Sequence, residues 1–212
     1  MSMNYAQLVQ AIQDYTENSE ATFVSQIPTF VRQTEQRVFR TVLLPELRTH
    51  ATTNAVAGNP YLARPTDFLA PFSMAVVTDA GEYYYLQEKD TDFVRQAYTT
   101  PSSTGLPRYY AQFDGDRTGS EGNFVLGPTP DAAYTVALHY YYDPESIVTA
   151  GTSWLGDNAQ MVLLYGSLTE AYTFMKGDAD MMQQYEKKYQ EALQGLGGLA
   201  RLSMTDNYRK DT

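Results

Sequence analysis

The chain has 212 residues, 43% of them hydrophobic and 19% charged, with a formal net charge of -10 and no cysteine. That length suffices for one domain with a substantial core, with room for two subregions. The missing cysteines exclude disulfides, thiolate metal centres and cysteine nucleophiles, and the acidic balance argues against a non-specific grip on nucleic acid.

The first residues, MSMNYAQLVQ, lack a basic stretch followed by an apolar run and so do not read as a secretory signal. No segment reaches the roughly 18 apolar residues of a membrane helix. A soluble protein made inside a cell is the expectation. Tyr5, Leu8, Ile12 and Tyr15 recur at helical spacing, which predicts a short amphipathic helix interrupted by Asn18, Ser19 and Glu20. A second stripe runs through Phe23, Ile27, Phe30, Val31, Thr34 and Val38. Pro28 fits the first turn of a helix, so a break near Gln26 and a main helix over 28–41 are predicted, ended by Pro45.

From Arg48 the period changes. Thr, Val and Ala dominate THATTNAVAGNPYLARPTDF, and Gly58-Asn59-Pro60 reads as a turn between a strand and a short returning strand. FSMAVVTDAGEYYYLQEKD reads as a hairpin. Phe72, Met74 and Val76 lie on one side, Asp79-Ala80-Gly81 turns, and Tyr83, Tyr85 and Leu86 return. A short helix through Tyr98 follows, with Asp90 placed to cap it. RYYAQFDG and NFVLG form a second strand pair around a polar tip. In the next strand, Tyr134, Val136, Leu138, Tyr140 and Tyr142 form a large apolar face. Ala133, Thr135, Ala137, His139 and Tyr141 form the other. Phe124 and Leu126 are its expected partners across the GPTPDA turn.

After Pro144 the helical period returns. Met161, Leu164, Tyr165, Leu168, Tyr172 and Met175 make one stripe, with Gly166 and Ser167 leaving room for a close neighbour. Gly177 ends that helix and Asp178 caps the next. The last helix carries Met182, Tyr185, Tyr189, Leu193 and Leu196 on one face, and Gly195, Gly197 and Gly198 weaken its end. The order helices, strands, helices predicts an α+β fold. Residues 1–46 and 144–200 would form a helical bundle, with an antiparallel β module with one short helix at 47–143 and a flexible tail at 201–212.

Catalytic signatures are scarce. The two histidines, His50 and His139, are far apart in sequence and lack metal-ligand neighbours at helical spacing, so a structural role is expected. No nucleophile elbow or phosphate-binding glycine loop occurs. DGDRTGSEG echoes a calcium loop through Asp114, Asp116 and Thr118, but Val125 stands where a bidentate Glu should close it. A solvated hairpin tip is the plainer reading. The pairs Asp90/Asp92 and Asp178/Asp180 stand at helix starts and read as caps. No catalytic residue or cofactor is expected. Eighteen tyrosines against one tryptophan suit half-buried strands and interfaces, where the ring packs and the hydroxyl stays wet. Arg32, Arg37 and Arg40 share an edge of one helix. Together with Tyr141, Tyr172, Tyr189, Arg201 and Tyr208 they are the candidate interface residues.

An ordered set of patterns resembles the phage adaptor proteins, the head-to-tail connector family of the tail tubular protein A type. These are IPTFVRQTEQRVFRTVLLPEL, NPYLARPTDFL, LPRYYAQFDG, FVLGPTPDAAYTVALHYYYDPES, SWLGDNAQMVLLYGSLTEAYTFMKGD and QQYEKKYQEAL. They span about Tyr5 to Gly195. One departure is Arg64, where a small or apolar residue is usual before Pro-x-Asp. The resemblance implies a non-enzymatic virion protein of the neck, assembled in the host cytoplasm. It implies a dodecameric ring that binds the portal protein and a tail tube or nozzle protein, and leaves a lumen through which DNA passes without specific binding. Two alternatives stay open: a carbohydrate- or ligand-binding β module of a phage tail, whose tyrosines would stack on sugars, and a hydrolase using paired carboxylates.

Overall fold

The structure, a computed structural model, describes residues 2–78, 80–100, 102–113 and 122–209. They divide into two compact units, one formed from 1–46 with 144–212 and the other from 47–143. The fold is α+β.

The helical unit holds α1 (Tyr5–Thr16), α2 (Ala21–Val24) and α3 (Ile27–Thr41). Asn4 and Gln7 close α1 with reciprocal side-chain to backbone bonds of 2.9 and 3.0 Å, a capping box that satisfies two otherwise orphan N–H groups. Pro28 sits in the first turn of α3, where its missing N–H costs nothing. The break near Gln26 falls as the residues predict and leaves Phe23 on α2.

The segment 154–175 departs from the single helix expected. It holds α6 (Trp154–Asn158) and α7 (Gln160–Met175), parted at Ala159, and a further short helix, α5 (Ile147–Ala150), precedes them. The break releases the Gly156 carbonyl, which accepts from Met3 N at 2.9 Å. In an unbroken helix that carbonyl would be taken by its own chain four residues on. Gly156 is also required sterically, since a Cβ there would stand 2.4 Å from the Met3 carbonyl oxygen.

α7 packs against α1, α3 and the final helix α8 (Ala179–Arg209). It is buried beyond its predicted stripe, with Val162 and Leu163 inside and Met161 exposed. Gly166 provides the close approach. A Cβ would lie 2.3 Å from Thr34 Cγ2 on α3 and 3.1 Å from the Tyr189 ring on α8. Lys176, not Gly177, takes the left-handed conformation that ends α7. Gly177 is needed for space, because a Cβ would meet Tyr172 at 2.7 Å. Asp178 Oδ1 then accepts from Asp180 N and Met181 N at 2.8 and 3.2 Å, capping α8 as predicted. The helix continues to Arg209 through Gly195, Gly197 and Gly198, past the point where a tail was expected. Glycine lowers helix propensity by about 1 kcal/mol but keeps its N–H and carbonyl, and buried Leu193 and Leu196 anchor the turn before it.

The other unit is a seven-stranded curled sheet. Its strands are β1 (Arg48–Asn54), β2 (Tyr61–Ala63), β3 (Phe68–Val77), β4 (Tyr83–Glu88), β5 (Tyr109–Phe113), β6 (Asn123–Gly127) and β7 (Thr135–Tyr142). They lie in the order β1-β7-β3-β4-β5-β6-β2. Three expectations are corrected. First, the sheet is mixed rather than purely antiparallel, because β5 lies parallel to β4 through Gln87↔Tyr109 and Glu88↔Tyr110. The crossover holds α4 (Thr91–Ala97), the kind of connection a parallel pair requires. Second, β1 and β2 are not a hairpin; β1 pairs with β7 and β2 with β6. Third, Phe124 and Leu126 do not pair with β7, for β6 lies between β5 and β2. Pro128 and Pro130 have no N–H with which to extend the β6 ladder. Carbonyls of Thr129, Pro130 and Tyr134 instead accept from Gly105, Gly58 and Ala55, each at 2.8 Å, which leads the chain across to β7.

The sheet unit buries two clusters, a large one and a smaller one of Val94, Ala111 and Val125 where α4 packs on β5 and β6. Val136, Leu138 and Tyr140 pack with Met74, Val76, Leu86, Tyr110, Phe124, Leu126 and Leu62, so the predicted apolar face of β7 is the buried one. Tyr141, on the opposite face, is buried as well, beneath Arg48 and Phe72. Phe72 leaves the core side because the β3 register shifts between Pro71 and Ser73, and it is 53% exposed. No described helix is long and apolar enough to cross a membrane.

Candidate assembly surfaces

The helical unit places its arginines unequally. Arg37 binds Glu186 on α8 with both guanidinium nitrogens, one contact at 3.1 Å and a shorter one from Nη2 to Oε1. Its guanidinium also lies 4.4 Å from the Tyr189 ring centre. Burial disfavours the Glu186 charge, but hydrogen bonds from Arg37 and Gln190 and the arginine's charge outweigh this, holding the carboxyl below its ordinary range. Arg37 therefore ties α3 to α8 within one chain. Arg32 and Arg40, elsewhere on α3, are exposed and form no ion pair with another described residue.

Two tyrosines of α8, Tyr185 and Tyr189, face inward. Tyr189 is fully buried, and its hydroxyl has no partner among the described atoms. Tyr185 touches three rings, Tyr172 at 5.1 Å, Tyr165 at 6.3 Å and Tyr15 at 6.4 Å. Burial first, then the hydrogen bond with Tyr172, pushes the Tyr185 hydroxyl up to about 12. Tyr172 is half-buried in that cluster. Of the remaining candidates, the side chains of Arg201 and Tyr208, and all of Asp114, Asp116 and Thr118, lie outside the described residues.

One residue the sequence search passed over is Glu35. It is buried on α3, accepts from Ile147 N at 2.9 Å and from the Ser146 hydroxyl, and so caps α5 from a distance. Its only sequence signal is a charge on the apolar stripe, one residue after Thr34. The position is a structural anchor: both neighbours are donors fixed at a helix start.

In the sheet unit the acid pairs are not dyads. Asp90 stands at the N-cap of α4 without a side-chain capping bond, a departure from the predicted cap, and Asp92 lies in the first turn. Two buried phenols could be taken for chemistry, yet both are donors. Tyr140 Oη donates to Asp67 at 2.8 Å, and burial followed by that bond raises it to about 12. Burial, then the Glu88 charge, raises Tyr110 further still. Neither ionises near neutral pH. Among the described residues no group of three His, Asp or Glu gathers.

What this unit does present is aromatic surface. Tyr83, Tyr84 and Tyr85 are consecutive on β4 and exposed by 60%, 44% and 67%. β5 joins β4 only from Gln87 onward, so the strand edge beside the three tyrosines has no described strand against it. The tyrosines, with Leu106, Pro107 and Arg108, line a groove of about 470 Å³. A row of three exposed rings beside an open strand edge is a surface suited to association, since aromatic residues and arginine are enriched where proteins meet.

Comparison with known proteins adds one match. The sequence model of the SU10 adaptor protein family fits residues 3–210. No curated protein matches the chain.

Proposed function

Since the chain belongs to the SU10 adaptor protein family and is therefore a phage adaptor, a structural protein of the virion's head-tail connector, we propose that it closes into a ring between portal and tail. The ring is dodecameric and is assembled in the host cytoplasm. It binds the portal protein on one side and a tail tube or nozzle protein on the other, and its lumen passes DNA. The observation that carries this reading is the exposed row Tyr83, Tyr84 and Tyr85, which takes no part in the buried core yet lies on a sheet edge open to pairing. Two further features support it. Arg32 and Arg40 remain free for contacts between copies. A net charge of -10 disfavours phosphate capture, as a conduit for DNA requires.

Assembly is the mechanism. Heterologous contacts, in which one face of a copy meets a different face of the next, close into rings when the rotation is commensurate. Tyrosines suit such contacts because they bury large rigid area at low entropic cost. Mixing the purified chain with its portal and imaging by electron microscopy tests the reading. Rings seated on the portal are expected. A chain that stays monomeric beside the portal and binds glycans through the β4 tyrosines overturns it.

A further inference from the structure

The only two histidines of the chain lie 89 residues apart in sequence, and the sheet sets them directly opposite each other, His50 on β1 against His139 on β7. Their ring centres are 6.2 Å apart and tilted by 40°. Both are exposed, on the face of β7 opposite Val136, Leu138 and Tyr140, and therefore away from the sheet core. Ser73 on β3, the next strand, places Oγ 3.2 Å from His139 Nδ1. In the tautomer in which Nδ1 donates to that oxygen, Nε2 keeps its lone pair and the ring is held in orientation.

We propose that His50 and His139 form a two-imidazole binding site for a divalent late transition-metal ion of the zinc, nickel or copper class. Neutral imidazole is a preferred ligand for these ions. Two imidazoles bound to one tetrahedral ion, each nitrogen about 2.1 Å from the metal, have ring centres roughly 5 Å apart. The observed separation closes to that by a small rotation of the exposed His50 ring. The strand pairing fixes both backbones, so little ordering is left for the ion to impose. Arg48, two residues before His50 on β1, is stacked on Phe72 at 4.3 Å and donates to Tyr141 Oη at 3.0 Å, which keeps its guanidinium occupied elsewhere. With no third His, Asp or Glu gathered among the described residues, the other coordination positions take water or a donor from another molecule. That restricts the site to moderate affinity and leaves it able to bridge copies. The sequence alone suggests none of this, because the ligands come together only through the β1-β7 register.

The test uses the untagged full chain, stripped with chelator and titrated with zinc chloride and nickel chloride at about pH 7.5. Saturable binding of one ion per chain, or one per two chains, is expected. His50→Asn and His139→Asn should each weaken it at least about tenfold, and Ser73→Ala by up to about tenfold through the lost orientation. A second readout needs no variant: only two imidazoles exist to give signals in a nitrogen-15 spectrum, and zinc should shift both at the same stoichiometry. No saturable binding of either ion up to about 1 mM overturns the proposal. So does binding that survives both histidine substitutions, or a zinc shift confined to one imidazole.

Discussion

In the helical unit Tyr185 and Tyr189 sit one turn apart on α8, and both are buried against their own chain. In the sheet unit Tyr83, Tyr84 and Tyr85 are consecutive on β4, and all three are exposed. The same side chain serves opposite ends. A helix gathers residues four apart onto one side, so the tyrosine spacing on α8 directs both rings at α7. A strand sends neighbours to alternate faces, and near the tip of the β3-β4 hairpin only one strand lies beside β4. Neither face is fully covered there, so rings emerge on both. What the difference teaches is that tyrosine abundance alone does not locate a contact surface. The spacing and the number of neighbouring elements decide which rings the fold covers.

The comparison can be broken most directly at Tyr189. Truncation to alanine should cost about 3–5 kcal/mol in urea unfolding of the chain. Tyr189→Phe should cost almost nothing, because the hydroxyl has no described partner to lose. If the phenylalanine variant were as damaged as the alanine one, the inward tyrosines would be held by polar contacts rather than by packing. Next in size is the buried anchor of the same unit. Glu35→Ala leaves Ile147 N and the Ser146 hydroxyl without their acceptor and should cost about 1–3 kcal/mol, with Glu35→Gln less harmful because one acceptor remains.

A smaller effect is expected at Arg37–Glu186. Both side chains are about a third exposed, so solvent screening limits Glu186→Gln to about 1 kcal/mol or less. The sign with pH follows from the lowered carboxyl. The unfolded chain binds the proton more tightly than the folded one. The contribution is therefore complete above the ordinary carboxylate range and disappears as pH falls through the folded-state value. Denaturation followed against pH should accordingly lose part of its acid-side decline in Glu186→Gln. Smallest for stability, and the sharpest contrast with Tyr189, is Tyr85→Ser. It should change unfolding by no more than about 0.5 kcal/mol while preventing ring formation in the portal mixture. A stable variant that still forms rings would remove β4 from the assembly surface.

Much of the helical unit was legible in the residues. Asp178 marks a helix start through local bonds, Pro28 marks another through its ring, and Gly166 is the small residue where α3 and α8 close in. These are interactions between near neighbours in sequence, or steric demands of a single position. The missed break at Ala159 has a distant cause, the bond from Met3 N to the Gly156 carbonyl. Of the candidate interface residues, periodicity grouped Arg32, Arg37 and Arg40 on one edge. It carried no information that Glu186, 149 residues on, would engage the middle one. Glu35 was overlooked for the same reason, its donors being more than 100 residues away.

By itself the sequence determined the α+β class, the main helices and the starts of α3 and α8, the position of most strands and the buried face of β7, because periodicity and capping act over a few residues. Tertiary structure alone decided which strands are neighbours. The turn at Gly58-Asn59-Pro60 and the Gly127-Pro128 corner both read locally as hairpins, yet backbone ladders bind whichever N–H and carbonyl groups burial brings alongside. That choice made the sheet mixed and left Tyr83–Tyr85 open to solvent. It also set His50 beside His139.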